Sequence, residues 1–351
     1  MTHHRTDDLR IAGINPLISP SVLAYYLPIT QQASELVAST RKQVEAVMSG
    51  QDDRLLAVVG PCSIHDPEAA EEYALKLKAE ADRLKDDILI LMRVYFEKPR
   101  TTVGWKGLIN DPDLDNSFDI NRGLRVSRGL LLKLANLGIP SATEFLDTIS
   151  PQYIADLICW GAIGARTTEC QLHRELASGL SMPVGFKNGT GGSIQISLDA
   201  IKSASHPHHF LSVTKQGVSA IVSTSGNKSC HIIMRGGKKG PNYDKNSIAD
   251  AAALLREQGL PESVMVDCSH GNSMKDFRNQ PMVAEDLANQ ISSGCKVISS
   301  VMIESNLIEG NQILSNNLTY GQSITDACLG WADTVKILDL LADAVRTRRK
   351  G

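Results

Sequence analysis

The sequence predicts an α/β protein built as one (β/α)8 (TIM) barrel, with an N-terminal extension and an inserted β-hairpin. Three observations carry that reading. Short β-prone runs recur along the chain, and most are followed by an amphipathic segment of helix length, the rhythm of repeated βα units. Eight such runs can be marked, the number that closes a barrel. Most are apolar in sequence rather than alternating, as strands covered on both faces are. An open doubly wound sheet is the alternative, but no GxGxxG follows the first run.

In order, residues 1 to about 50 precede the first strand and hold the helix-like ASELVASTRKQVEAVMSG, with Gly50 as its C-cap. The strand runs are Leu55 to Gly60, Ile88 to Tyr95, Ser141 to Leu146, Ile163 to Thr168, Val184 to Lys187, His231 to Met234, Val264 to Asp267 and Val297 to Ile303. Segments such as PEAAEEYALKLKAEADRLK between them have helical spacing. Between the fifth and sixth runs, HHFLSVTKQGVSAIVSTSGN gives two β-prone stretches around the turn KQG, the mark of a hairpin decorating the barrel. The expected organisation is an extension at 1–50 and a barrel at 51–351, with the hairpin at about 208–230.

Composition bounds the function. A chain of 351 residues could hold two domains at roughly 150 residues each, yet barrels of about 250 residues form single units. With 42% hydrophobic and 21% charged residues the chain is ordinary globular material, neither disordered nor a coiled coil. A net charge of -3 lacks the basic excess of a phosphate-backbone binder, so no nucleic acid partner is expected. No apolar run reaches the ~18 residues of a membrane helix, and MTHHRTDDLR lacks the apolar core of a signal peptide. A cytoplasmic protein with no membrane association is expected. The seven cysteines show no CxxC pairing, so each reads as a thiol rather than part of a disulfide framework.

Barrel chemistry sits at the C-terminal ends of strands. The ends of the runs and the residues just after them give Cys62; Arg93 with Lys98 and Arg100; Glu144; Arg166; Lys187; Arg235; His270; and Glu304. Ordinary exits would be Gly, Ser, Asn and Pro. Two groupings emerge. Arg93, Lys98, Arg166, Lys187 and Arg235 are cations converging on one mouth in an acidic protein, which points to anionic ligands held by forked or point-charge contacts. Any one of them alone would be read as a solvated surface group. Cys62, His270, Glu304 and Asp326 supply a sulfur, an imidazole and two carboxylates, a set suited to a divalent transition metal such as Mn, Fe, Co or Zn. No fixed spacing announces that set; from spacing alone Cys62 reads as a buried thiol and His270 as a turn residue. His206, His208 and His209 resemble a ligand cluster but fall in a connection, where a solvated loop or packing role is expected.

The motifs GPCSIHDP at 60–67, MRVYFEKPRTTVGWKGL at 92–108, GARTTE at 164–169, VGFKNGT at 184–190, RGGK at 235–238, SHGNS at 269–273 and SITDACLGW at 323–331 are long and specific. In these the chain resembles the type I 3-deoxy-D-arabino-heptulosonate 7-phosphate (DAHP) synthases, from TDDLR at 6 to the C-terminal helix. The resemblance implies a barrel with an N-terminal extension and an added hairpin. It also implies condensation of phosphoenolpyruvate with erythrose 4-phosphate, releasing phosphate, as the first step of the shikimate pathway. On matching positions, Arg93, Lys98, Arg166, Lys187 and Arg235 would hold the phosphate and carboxylate of phosphoenolpyruvate, with Glu144 beside them. Arg100 and Thr101 would meet the phosphate of erythrose 4-phosphate, and Cys62, His270, Glu304 and Asp326 would hold the metal. Lys98 and Glu144 are candidates for moving protons, and a water or Asp326 could serve equally. A solvent-accessible metal thiolate at Cys62 would oxidise in air.

The resemblance further implies a homodimer or homotetramer inhibited by an aromatic amino acid. Its pocket would match Pro151, Gln152, Leu176, Leu180, Ser181, Phe210, Ser212 and Val222, with Asp7 and Asp8 reaching in from a neighbouring subunit. Ser212 would crowd the para position of the ring, where Tyr-sensitive relatives have Gly, so Phe is favoured over Tyr or Trp. The nearest rival is the related octulosonate 8-phosphate synthase, from which KPRTT at 98–102, the extension and the hairpin distinguish this chain. A catalytically dead barrel retained as an amino acid sensor is the rival from another class; against it, every matched catalytic position is filled.

Overall fold

The computed structural model describes residues 3–351. Two helices precede the barrel. Helix α1 (Pro20–Tyr26) starts at Ser19, whose side chain accepts from the Val22 amide, with Pro20 at its first position. Helix α2 (Gln31–Met48) is capped by Thr30, and Gly50 stands just past its end at φ +73, the left-handed cap the sequence suggested.

The barrel strands and their following helices are β1 (Leu55–Gly60), α3 (Pro67–Leu84), β2 (Ile88–Arg93), α4 (Ile120–Asn136), β3 (Ser141–Glu144), the short α5 (Pro151–Ile154), β4 (Ile158–Ile163), α6 (Gln171–Gly179), β5 (Val184–Lys187) and α7 (Gln195–Ala204). The hairpin β6 (His209–Val213) and β7 (Ser219–Ser223) comes next, then β8 (Cys230–Met234), α8 (Lys245–Glu257), β9 (Val264–Asp267), α9 (Gln280–Ser292), β10 (Ile298–Glu304) and α10 (Trp331–Arg348). The eight strands other than the hairpin pair in parallel and close in the order β1-β10-β9-β8-β5-β4-β3-β2. Register runs Val59↔Ile303 and Gly60↔Glu304 across the closing seam. Among the described residues no helix is long and apolar enough to cross a membrane.

Alternation decides what each strand residue does. On β1, Leu55, Ala57 and Val59 join the shell packed against the helices, whereas Leu56 and Val58 join the interior. The interior continues through Leu91, Ala142, Trp160, Ile233, Met265 and Met302, and Val37, Val44 and Val47 of α2 complete it. The extension therefore plugs the N-terminal end of the barrel, and Arg41 ties it down by donating to the Ile158 and Ala155 carbonyls. One step further along each strand, the same inward parity delivers Arg93, Glu144, Lys187, Asp267 and Glu304 to the C-terminal end, all buried.

The fourth strand corrects the sequence reading. It spans Ile158–Ile163, not Ile163 to Thr168. The β-branched Thr167 and Thr168 instead make a turn: both hydroxyls donate to the Gly164 carbonyl, and that of Thr168 also meets the Lys187 carbonyl. Gly164 opens this turn because a Cβ there would collide with Glu144 Oε1. Arg166 thus rides on a loop beyond the strand rather than on the strand itself.

The hairpin lies on the side of the barrel. Phe210 pairs with Val222 and Ser212 with Ala220, forming its half-buried inner face, while Leu211 and Ile221 are exposed. Its tip is bonded to both neighbouring helices: the Ser21 amide donates to the Lys215 carbonyl, and Lys215 Nζ donates to the Gln152 carbonyl.

Candidate active site

A cavity of about 320 Å³ opens at the C-terminal end of the strands. Lys98, Arg100, Thr101, Glu144, Arg166, Lys187, Arg235, His270 and Asp326 all line it. Strand-end placement thus brings nine of the sequence-predicted residues to one mouth, and Arg93, Cys62 and Glu304 form its fully buried floor.

Three of the four candidate metal donors converge. The ligand atoms of Cys62, Glu304 and Asp326 all lie within 4.8 Å of one another. His270 is the fourth, with Nε2 at 3.9 Å from Glu304 Oε1. One thiol and two carboxylates meeting at a partly buried point, with an imidazole beside Glu304, fit a divalent transition ion. Glu304 is positioned from several sides: Arg93 Nη2 donates to Oε1 at 2.9 Å, Ser269 Oγ to Oε2 at 2.8 Å, and its backbone amide to Gln280 Oε1. Burial would raise its carboxyl, but His270, Arg93 and Lys98 outweigh that and hold it below the usual range.

Cys62 overturns one expectation. Its side chain is fully buried rather than solvent-accessible, and burial, reinforced by Glu304, pushes the thiol up to about 11. An enclosed sulfur is a poor target for oxidants in solution, so sensitivity to air does not follow from exposure. Lys98 Nζ, 3.0 Å from Cys62 Sγ, is the nearest cation to it. Burial works against the charge on Lys98, while Cys62, Glu304 and Asp326 raise its proton affinity overall.

The cations divide into two tiers. Lys187 is buried and balanced, with Nζ at 3.4 Å from Asp267 Oδ2 and 3.9 Å from Glu144 Oε2. Arg93 is buried beneath the cavity, stacked 3.5 Å from the Tyr95 ring centroid and donating to Pro61, Cys62 and Glu304. Of the five expected phosphoenolpyruvate cations it alone does not line the cavity. Around the rim, Arg100, Arg166 and Arg235 form no ion pair with a carboxylate among the described residues. Arg166 donates to the Pro99 carbonyl, joining its turn to the KPRTT loop, and Asn188 Oδ1 accepts from the Arg235 amide. Uncompensated guanidinium groups at a concave mouth attract phosphate and carboxylate.

Sequence reasoning missed Asp267. It ends the apolar run of its strand, and the exit group that pattern points to is His270. Counting inward parity from Met265 would have placed Asp267 in the same layer as Lys187 and Glu304. The carboxylate is fully buried and touches both groupings, Lys187 on one side and His270 Nδ1 at 2.9 Å on the other. Burial would raise it, but His270 and Lys187 hold it far below the usual carboxylate range.

The histidine run does not converge. His206 and His208 bond to the Lys202 and Ser203 carbonyls at the end of α7, and His209 to Ser223 Oγ, so they cap and pack. All seven cysteines are free thiols. A second cleft, of about 860 Å³, lies between α2, α5, the end of α6 and the hairpin. Pro151, Gln152, Leu176, Leu180, Ser181, Phe210, Ser212 and Val222 all line it. Asp7 and Asp8 do not; they are exposed on the extension, where Asp8 lies 4.0 Å from Arg5.

Comparison with known proteins follows the same lines. Residues 28–339 match the model of the DAHP synthetase I family. The chain is 58% identical to the Phe-sensitive phospho-2-dehydro-3-deoxyheptonate aldolase of Escherichia coli (strain K12), over 99% of each chain. It is 52% identical to the tyrosine-inhibited phospho-2-dehydro-3-deoxyheptonate aldolase of Schizosaccharomyces pombe, covering 98% of this chain and 94% of that one. Among solved structures, the phospho-2-dehydro-3-deoxyheptonate aldolase of Francisella tularensis superposes with a TM-score of 0.95 at 55% identity, covering 97% of this chain and 99% of that one.

Proposed function

The chain belongs to the DAHP synthetase I family, and from that premise we propose how its residues divide the work of condensing phosphoenolpyruvate with erythrose 4-phosphate. The observation that carries the reading is the single cavity on which unpaired rim cations meet a cluster of one thiol and two carboxylates, with the His270 imidazole beside it. Lys187, Arg166 and Arg235, with Lys98, hold the phosphate and carboxylate of phosphoenolpyruvate. Arg93 supports this cradle from below, since its donors are engaged by Pro61, Cys62 and Glu304. Arg100 and Thr101, on the exposed loop, take the phosphate of erythrose 4-phosphate and so aim its aldehyde at the floor of the cavity.

Cys62, His270, Glu304 and Asp326 would hold a divalent ion, Mn, Fe, Co or Zn, which supplies Lewis acidity toward the aldehyde oxygen. Because carbon 3 of an enol phosphate is a weak nucleophile, the residues must fix both partners in contact before reaction. As the carbon–carbon bond forms, positive charge develops at C2 and water adds there. Glu144, beside Lys187, faces that position as a proton acceptor, and Lys98 is placed to return a proton to the new hydroxyl; Asp326 can fill either role. Release of inorganic phosphate on mixing both substrates tests the assignment, and Lys98→Met should suppress it while leaving the metal content unchanged.

The side cleft is the effector site of this reading. An apolar slot with polar groups at its margin suits an aromatic amino acid, and the Ser212 hydroxyl disfavours a para-hydroxyl, so Phe is the preferred inhibitor over Tyr or Trp. The relatives include both Phe- and Tyr-inhibited enzymes, so the preference rests on Ser212 rather than on kinship. Asp7 and Asp8 of the partner subunit would complete the cleft in a homodimer or homotetramer of a cytoplasmic enzyme. Initial rates with each of Phe, Tyr and Trp, together with light scattering, test these points.

A further inference from the structure

Asp267 is tied to three functional elements at once. Its Oδ1 accepts from the Ser269 amide at 3.0 Å, fixing the turn that follows β9. Its Oδ2 faces His270 Nδ1 at 2.9 Å and Lys187 Nζ at 3.4 Å. His270 Nδ1 and Asp267 Oδ2 are both buried and neither has a hydrogen bond of normal geometry among the described residues, so at 2.9 Å each is the partner available to the other. An imidazole can present a lone pair to a metal only from the nitrogen that does not carry the proton. Were the Nδ1 proton directed at Asp267 across that 2.9 Å, the free lone pair would be left on Nε2, the atom 3.9 Å from Glu304 Oε1.

The surrounding turn is built to keep that orientation. His270 is a non-glycine residue at φ +56, a conformation that persists only where neighbours impose it. Its carbonyl accepts from the Lys275 amide, the Gly271 amide donates to the Arg235 carbonyl, and Ser269 Oγ donates to Glu304. A Cβ on Gly271 would strike the Arg235–Gly237 backbone, so the two loops can pack this closely only with glycine there.

We propose that Asp267 is a positioning residue that joins the two halves of the site, fixing the His270 tautomer for the metal while holding Lys187 in the anion cradle. The proposal rests on the reading of His270 as a metal ligand. The alternative is that Asp267 is merely the counter-ion of Lys187. An amide at 267 can donate as well as accept, so Asp267→Asn leaves the imidazole tautomer undefined.

The test is the equilibrium affinity for Mn, by calorimetry on metal-stripped protein, of the parent, Asp267→Asn, His270→Ala and the double variant. Asp267→Asn should weaken Mn binding by ~10–100-fold, as loss of an outer-sphere partner does. In the His270→Ala background it should change it by less than about threefold, because coupled residues do not add. An unchanged affinity in Asp267→Asn, or an equal loss in both backgrounds, would overturn the proposal. Mn affinity undiminished in His270→Ala would instead remove the ligand reading and this proposal with it. Should Asp267→Asn fail to fold, the parent decides: the metal-free protein's histidine 15N spectrum, recorded where the ring is neutral and assigned by loss of a signal in His270→Ala, should show the Nδ1-protonated form. An Nε2-protonated ring would refute the assignment.

Discussion

The two ends of the barrel are made by the same strands and filled on opposite terms. At the N-terminal end the interior is Leu56, Ala142, Trp160 and Met265 sealed by three valines of α2, and one buried polar pair there is Trp160 donating to His231 at 2.9 Å. Burial pushes His231 down to about 4, so the pair stays neutral. At the C-terminal end the next inward residues are Arg93, Glu144, Lys187, Asp267 and Glu304, charged and buried. Desolvating so many charges is costly unless each is paired, and such groups are kept where chemistry needs them. The contrast shows that the lower half of the interior is organised for packing and the upper half for function, and substitutions should separate the two.

The largest expected effect is at the mouth. Chelation should abolish turnover and Mn should restore it, and Cys62→Ser should abolish it likewise. Next, Lys187→Ala or Arg166→Ala should lower kcat/KM for phosphoenolpyruvate at least tenfold, the ~1.5–3 kcal/mol of a hydrogen bond to a charged group. An unchanged efficiency in both would mean that the rim cations do something else.

Stability against pH should slope in opposite directions for two buried groups. Glu97, buried and bonded to Ser150 Oγ, is pushed up by burial to about 7 from 4.5. A raised carboxyl favours the folded state when protonated, so this contribution is complete below about pH 4.5 and disappears as pH rises through 7. For His231 the folded value lies below the usual 6.5, so its contribution is complete above that and lost as pH falls toward 4. Each gap corresponds to roughly 3 kcal/mol at most. Glu97→Gln should flatten the first slope and leave the second, as read by denaturant unfolding from pH 4 to 8 (about the range these groups titrate over). A slope between about pH 5 and 7 unaltered by the change would show that Glu97 titrates normally.

At the packed end, Trp160→Phe orphans His231 Nε2 and should cost about 1–3 kcal/mol of stability while kcat stays near the parent's. A large loss of kcat without a loss of stability would erase the contrast between the ends. Smallest of all, Cys159→Ser and Cys230→Ser should be nearly silent in activity, since neither thiol lines the catalytic cavity.

How much of this was legible in the sequence follows the same division. Apolar runs with helical segments between them read correctly as a closed barrel, because packing leaves a periodic trace. The fourth strand was displaced because Thr167 and Thr168 carry β propensity that their turn bonds override. The metal donors are scattered over three strand exits and the connection before α10, so no spacing marks them; residue type suggested the set and the resemblance gave it its role. Asp267 escaped because it ends a strand of the apolar pattern, and only inward parity reveals its layer. The side cleft has no periodic signature, since α5, α6 and the hairpin meet there only after folding.

The most direct test of the central claim, that the barrel mouth is organised around a metal held by Cys62, His270, Glu304 and Asp326, is to titrate metal-stripped enzyme with Mn and follow bound ion and phosphate release in the same samples. Activity should rise in proportion to bound Mn and saturate at one ion per chain, and Cys62→Ser should show neither binding at those concentrations nor turnover. Full phosphate release by protein shown to be free of metal, or by Cys62→Ser, would contradict it.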